Sequence, residues 1–288
     1  QQSLGSAGFF VCCGSYICFR MEYSLISWIG STRNKQLVMY TYPDFFARFY
    51  DVIYEDLRGA VDSEYFLNEI LQTKGKVLEI GVGTGRLFSR ALEQGADIYG
   101  IDVSPPMIEV LKTKIPGEHH HRIELENMIT FHHRFTFPLI IAPFRVFMHI
   151  LTKQEQLDAL NQVYAHLEPG GCFIFDVFIP DLYLLLEGIE EKKDVDKEYL
   201  PGRKIRRYVT SRPDLIHQIL DVTFRIEWDE EDGFRREKWQ VPLRFLFRYE
   251  LEHLLERSEF NNQYTIYGDY NKHELNSSST DFLVVCTK

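Results

Sequence analysis

The sequence predicts an α/β protein built on a doubly wound, Rossmann-like parallel sheet, with a smaller antiparallel β-sheet inserted into it. Short apolar runs alternate with stretches of helical periodicity between residues 76 and 178, the pattern of consecutive β-α-β units. The first of these runs ends in a glycine-rich turn and the second in an aspartate. Beyond residue 203 the hydrophobic period drops to two, which marks half-buried strands that show one face to a core.

In chain order, Phe45, Phe46, Phe49, Ile53 and Leu57, then Phe66, Ile70 and Leu71, recur at helical spacings, so two amphipathic helices are expected in front of the core. Lys76 to Ile80 (KVLEI) is a strand, Leu87 to Gln94 a helix, and Asp97 to Val103 (DIYGIDV) a second strand. Pro106 to Lys114 follows as a helix and Arg122 to Leu125 as a strand, and the unbroken apolar run Phe137 to Ala142 (FPLIIA) is a strand covered on both faces. Thr152 and Glu155 form a capping box for a helix running to about Leu167, where Pro169, Gly170 and Gly171 stop it. Cys172 to Phe178 is another buried strand. The mixed-charge stretch Glu187 to Lys197 is expected to be a solvated connection. Arg203 to Ser211, a run from Ile216 to Trp228, and a partner carrying Trp239, Val241, Leu243, Phe245 and Phe247 make an antiparallel sheet of about three strands, with Pro242 at an edge or bulge. A helix from Tyr249 to Arg257 and strands at Tyr264 to Gly268 and Phe282 to Thr287 bring the main sheet to seven strands. The expected domains are therefore a core over 39–180 and 249–288 with its cap helices, an insert over 181–248, and an N-terminal extension over 1–38 to which no role attaches, Met39 being the more natural start.

Composition narrows the function. The 288 residues suffice for an enzyme-sized core, and a formal net charge of -10 repels phosphate backbones, so nucleic acid is a disfavoured partner. The five cysteines (Cys12, Cys13, Cys18, Cys172 and Cys286) contain no CxxC pair and are odd in number, which fits a reducing cytoplasm better than a disulfide framework. The apolar stretch Gly8 to Cys18 is shorter than the roughly 20 residues a membrane span needs, so no signal peptide or membrane anchor is expected.

The chemistry lies in Val77-Leu-Glu-Ile-Gly-Val-Gly-Thr-Gly-Arg86 with Asp102 at the end of the next strand. Glycines at 81, 83 and 85 permit a sharp strand-to-helix turn and let a ligand approach bare backbone, while an acid at the tip of the second strand accepts from both ribose hydroxyls. An adenosine moiety is implied. A P-loop would close with GKS or GKT, whereas Gly85 is followed by Arg86 and Leu87. The dinucleotide fingerprint spaces its last glycines one residue further apart, to suit a pyrophosphate. Glu79, two residues before the first glycine, would repel a pyrophosphate but attract an ammonium, so a cationic cofactor without phosphates fits best.

The runs LEIGVGTGR and YGIDVSPPMIEVL resemble the first two motifs of the class I S-adenosylmethionine-dependent methyltransferases, small-molecule type, and the likeness extends over most of residues 42 to 288. The resemblance implies a seven-stranded Rossmann-like methyltransferase sheet with S-adenosylmethionine as cofactor. It implies that Glu79 and the loop of Gly81, Gly83, Gly85 and Arg86 hold the methionine part, that Asp102 holds the ribose, and that Val103 and Met107 flank the adenine. Asn127-Met128 is the nearest match to the acidic-apolar pair that meets the adenine amine after the third strand, and Pro138 stands where the family commonly has aspartate. LEPGG at 167–171 is again typical of the family, and FYDVIY at 49–54 resembles the helix that covers the cofactor in small-molecule members.

Other residues are weighed against plainer roles. His119, His120, His121, His132 and His133 invite a metal reading, but no helical i, i+4 pair or companion cysteine supports one, and no metal is expected. Arg145 and His149 follow the fourth strand, at the edge where open α/β sheets bind ligands, and either contact substrate or satisfy carbonyls. Tyr50 and Tyr54 share a helical face that either closes over the methionine end or packs into the core. The aromatic face of the insert is expected to be sheet core or a homodimer contact. The expected reaction is N- or O-methylation of a small-molecule acceptor by in-line displacement, with His149 or Tyr50 assisting proton loss and Tyr54 and Arg145 contacting the acceptor. The rivals are a non-catalytic binding protein of the same fold and a nicotinamide-dependent oxidoreductase.

Overall fold

The computed structural model describes residues 41–55 and 60–288, so the extension expected over 1–38 and Leu57 of the first helix lie outside the described residues. Helix α1 (Asp44–Tyr54) buries Phe46, Ala47, Phe49 and Ile53 on one face, and α2 (Ala60–Gln72) follows it. The strands β1 (Val77–Ile80), β2 (Ile98–Asp102), β3 (Ile123–Leu125) and β4 (Phe137–Ala142) alternate with α3 (Phe88–Glu93) and α4 (Pro105–Lys112). Helix α5 (Lys153–His166) starts at the Thr152 to Glu155 capping box the sequence announces, and leads into β5 (Leu167–Phe178). After α6 (Leu182–Glu187) come four long strands, β6 (Ile189–Leu200), β7 (Arg203–Asp214), β8 (Ile219–Glu230) and β9 (Gly233–Arg244). Helix α7 (Arg248–Glu256), β10 (Tyr264–Tyr267) and β11 (Asp281–Thr287) end the chain.

The main sheet has seven strands in the order β10-β11-β5-β4-β1-β2-β3, all parallel except β11, which runs antiparallel to both of its neighbours. Strand β1 lies inside the sheet between β4 and β2 and is buried at every position, with Glu79 opposite Gly100 of β2 and Ile141 of β4. The winding reverses between β1 and β4, and the carboxyl ends of these two strands open the crevice where doubly wound sheets take ligands. Apolar cores cover both faces of this sheet: Phe147, Phe173, Phe175 and Leu255 belong to one, and Phe66, Phe88, Ile98 and Leu111 to the other.

The second sheet differs from expectation. It has four strands, in the order β6-β7-β8-β9, and the stretch expected to be a solvated connection is its edge strand β6. The charges in β6 that suggest a loop are satisfied across the sheet: Asp194 bonds Arg207 of β7, and Glu191 bonds Arg225 of β8. A charged edge strand also discourages pairing with other chains. Residues 215–218 form a turn, with Gln218 at φ 54°, so β8 starts at Ile219 and Ile216 is exposed. Pro242 sits in β9, the other edge, as a residue without an N–H requires. The aromatic inner face of this sheet is core: Ile205, Ile226, Trp228 and Val195 pack against Phe46, Phe49 and Ile53 of α1. Among the described residues no helix is long and apolar enough to cross a membrane.

Candidate active site

The turn after β1 is built on positive φ. Gly81 has φ +74°, and a β-carbon there would lie 2.4 Å from Val146 Cγ2, so glycine is required both by conformation and by the close passage of the β4 loop. Gly83 also has positive φ, +54°, but the nearest atom to a β-carbon there is a backbone oxygen 3.9 Å away. Local packing therefore does not fill the space above Gly83, and its left-handed conformation alone favours glycine.

Two carboxyl groups flank this turn. Glu79 is 1% exposed, and its Oε2 is buried with no hydrogen-bond partner. Burial, reinforced by the neighbouring Asp102, holds its carboxyl well above the ordinary range. Asp102 is 8% exposed, and each of its oxygens accepts a backbone N–H, Oδ2 from Gly83 and Oδ1 from Ser104, both at 2.8 Å. Burial raises its pKa as well, although those N–H donors pull the other way. A buried carboxylate oxygen without a partner is costly, and a cationic hydrogen-bond donor would relieve it. The orphaned Glu79 oxygen and the open cradle over Gly83 thus fit a cofactor with an ammonium group and no phosphates. The same pair would reject a pyrophosphate.

Helix α1 is fastened over this turn at both ends. Thr84 Oγ1 donates to Asp51 Oδ1 at 2.7 Å, and Lys114 Nζ reaches both the Asp51 carboxylate and the Thr84 carbonyl. At the other end Ser104 Oγ donates to the Tyr42 carbonyl at 3.1 Å. None of Asp51, Thr84, Ser104 and Lys114 is singled out by the sequence, because their pairing is between segments 30 or more residues apart. The traces are that Asp51 sits inside the FYDVIY run, Thr84 inside LEIGVGTGR and Ser104 inside YGIDVSPPMIEVL.

A chain of aromatic rings extends from the crevice into the second sheet. The rings of His149 and Tyr42 are 6.2 Å apart, Tyr42 and Trp239 4.3 Å, Tyr42 and Tyr50 5.8 Å, and Tyr50 and Tyr54 4.5 Å. Tyr42, Tyr50, Tyr54, Phe224 and Trp239 are each half-buried, so the rings form a wall rather than a sealed core. His149, in a short 3-10 turn after β4, is brought into this cluster, and burial lowers its pKa to about 4, so its imidazole is neutral at pH 7. Tyr50 and Tyr54 join it from α1. Arg145 does not: its guanidinium pairs with Asp281 at 2.8 Å and lies over Phe178, and its backbone N–H donates to Asp176.

Of the remaining expected contacts, Met107 is fully buried in α4, Val103 is half-buried just beyond β2, and Arg86 lies over the Phe144 ring. Met128 is buried, and Asn127 follows β3, where its Oδ1 accepts from the N–H groups of Ile129 and Thr130. Glu126 continues the strand by donating to the Asp102 carbonyl, which sets Asn127 at the same sheet edge as Asp102. The histidines have other partners: His120 bonds the Lys112 carbonyl and His121 the Glu118 carbonyl. Among the described residues no group of three or more His, Cys, Asp or Glu is placed to hold a metal ion.

Residues 78–173 match the family described as a methyltransferase domain. An uncharacterized methyltransferase of Anoxybacillus flavithermus is 30% identical over 188 residues, which span 62% of this chain and 84% of that one. A second, from Geobacillus kaustophilus, is 30% identical over 161 residues and is covered over 73% of its length. The chain belongs to the class I S-adenosylmethionine-dependent methyltransferases. Solved structures agree on the fold of this methyltransferase. An S-adenosylmethionine-dependent methyltransferase from Clostridium acetobutylicum superposes with a TM-score of 0.67 at 16% identity, covering 85% of this chain and 98% of that one. The sugar N-methyltransferase KedS8 from Streptoalloteichus superposes with a TM-score of 0.66 at 16% identity, covering 91% and 98%.

Proposed function

We propose that this methyltransferase transfers a methyl group to a nitrogen or oxygen of a small-molecule acceptor held along the half-buried aromatic rim where α1 meets the four-stranded sheet. The observation that carries the reading is the half-buried wall of Tyr42, Tyr50, Tyr54, Phe224 and Trp239, which runs from that sheet to His149 on the turn after β4. An apolar, aromatic surface with a few polar groups at one end is the usual lining of a small-molecule site.

S-adenosylmethionine supplies a methyl group on a sulfonium, a leaving group that needs no further activation. When the cofactor is bound, Glu79 would receive its ammonium on the unpartnered oxygen, the open backbone of the glycine turn would take the methionine part, and Asp102 would orient the ribose. Val103 and Met107 would flank the adenine, with Asn127 and Met128 at its amine edge. Glu79 and Asp102 also make the site selective for a cation. The enzyme's own task is alignment and exclusion of water. Neutral His149 accepts a hydrogen bond from the acceptor N–H or O–H and so aims its lone pair, while the Tyr50 hydroxyl is the second group within reach for proton loss. Of the two acceptor contacts expected from sequence, we retain Tyr54. Arg145 is engaged by Asp281, and we assign it to shaping the β4 loop.

The net charge of -10 favours a small acceptor over nucleic acid, and the odd number of cysteines without a CxxC pair fits a reducing cytoplasm. With the aromatic face of the second sheet covered by α1, we infer that any pairing of copies through it uses the outer face or the β9 edge, which sedimentation velocity tests. The function is tested by calorimetric titration with S-adenosylmethionine, followed by a screen of amines, amino acids, amino sugars and phenols with an S-adenosylhomocysteine readout. Binding with acceptor-dependent release supports the reading. Binding without turnover on any acceptor class favours a non-catalytic protein of this fold, and NADH binding in place of S-adenosylmethionine favours the oxidoreductase.

A further inference from the structure

Arg207 lies in the middle of β7, facing α1, with Val195 of β6 and Ile226 of β8 opposite it in register. It is 4% exposed. Asp194 takes one edge of the guanidinium, accepting from Nε at 3.1 Å and Nη2 at 2.6 Å. Nη1 is buried without a hydrogen-bond acceptor in good geometry, while the Tyr54 side chain also interacts with the guanidinium. The guanidinium carbon sits 5.0 Å from the Tyr54 ring centroid and 4.9 Å from that of Phe224, so the group is flanked by two aromatic residues of the proposed acceptor wall. A guanidinium carries five donors in a fixed fork, and leaving a buried one unmade is unfavourable unless a ligand completes it.

We propose that Arg207 anchors an oxyanion of the methyl acceptor, a carboxylate or a phosphate, through the Nη1 side of its fork. The proposal rests on the acceptor reading above. Asp194 fixes the plane of the guanidinium and the two rings restrict its movement, so the free edge is pre-oriented for a planar or tetrahedral anion, the partners that arginine binds best. From Arg207 the ring series Phe224, Trp239, Tyr42 leads to His149, with ring-to-ring steps of 6.0, 4.3 and 6.2 Å. An acceptor with its charged oxygen at Arg207 would therefore lie along this wall with its nucleophilic atom toward His149. Tyr54 covers the anchored end.

The test uses the full chain and simple anions, so it is independent of turnover. Acetate, inorganic phosphate and acetamide are titrated against wild type and against the paired variant Arg207→Gln/Asp194→Asn, which removes both charges together, with quenching of Trp239 and Trp228 fluorescence as the readout. Acetate and phosphate are expected to quench wild type saturably and the variant not at all, and acetamide to bind at least tenfold more weakly than acetate. Equal response to acetate and acetamide, or unchanged anion binding in the paired variant, overturns the proposal. If the pair fails to fold, Arg207→Lys serves: it keeps the charge but loses the fork, and an anion response equal to wild type again overturns the proposal. In the acceptor screen, acids should outperform their amides through KM rather than kcat, and Arg207→Lys should erase that preference. Absence of S-adenosylmethionine binding to wild type would defeat the methyl-transfer reading while leaving the anion result to stand or fall separately.

Discussion

Replacing Glu79 with glutamine sets stability against function in a single position. The carboxyl is 1% exposed with one oxygen unpartnered, and burial together with Asp102 raises its pKa well above the ordinary value. For an acid raised on folding, the folded state holds its proton after the unfolded state has lost it, so stability falls as pH rises from the unfolded pKa, near 4.5, through the higher folded one. Glu79→Gln removes that liability. The free variant should match wild type below pH 4.5 and exceed it at pH 8 by about 1–3 kcal/mol, because the amide keeps a polar atom without a partner but has no charge to bury. In a chain of this size that is a rise in Tm of roughly 2–4 °C per kcal/mol. The cofactor effect has the opposite sign. Loss of a charge-assisted hydrogen bond to the ammonium costs about 1.5–3 kcal/mol, which is about 10- to 150-fold in Kd. S-adenosylmethionine and S-adenosylhomocysteine both carry the ammonium and should lose affinity alike. Thermal melts at several pH values and calorimetry with both ligands measure these quantities. A variant that melts lower than wild type at pH 8, or binds both ligands unchanged, refutes the reasoning, and a loss confined to S-adenosylmethionine would move Glu79 to the sulfonium.

Gly83→Ala meets no neighbour nearer than 3.9 Å, so it should cost only the left-handed conformation, about 1–2 kcal/mol in a melt, yet weaken S-adenosylmethionine at least tenfold. Gly81→Ala collides with Val146 at 2.4 Å and should lower Tm further than Gly83→Ala. Asp102→Ala frees the N–H groups of Gly83 and Ser104 as well as the ribose contact. It should therefore abolish cofactor binding and also reduce stability by about 1.5–3 kcal/mol. With its pKa lowered to about 4, His149 is already unprotonated across pH 6–9, so it contributes no inflection to the rate in that range. His149→Phe should lower kcat about a hundredfold through misalignment with the neutral-pH profile keeping its shape, and a lost inflection near pH 7 would contradict the assignment.

The core was legible in the sequence because each of its signals is local. KVLEI, DIYGIDV and FPLIIA are continuous apolar runs, and Thr152 with Glu155 is a four-residue motif, so the strands and α5 fall where the pattern places them. Strand β6 was not legible, since Ile189–Leu200 buries only Val195 and the charges that suggest a loop find partners on β7 and β8. The glycine turn with Glu79 and Asp102 could be read for the same local reason. The clamp of Asp51, Thr84 and Lys114 could not, nor could the unpartnered edge of Arg207, because each depends on segments that meet only after folding. Arg145 shows the converse. Its place after β4 is right for a ligand contact, but Asp281, 136 residues later, claims the guanidinium.

Helix α1 is shared between the glycine turn and the four-stranded sheet. One side is bolted to the turn through Asp51 and Thr84, and the other carries Phe46, Phe49 and Ile53 against the four-stranded sheet. Swinging it out to admit a nucleoside would dismantle the aromatic wall at the same moment. On the proposed reading the nucleoside then enters first and the acceptor second, with methylated product leaving before the spent nucleoside, an order that product-inhibition patterns check.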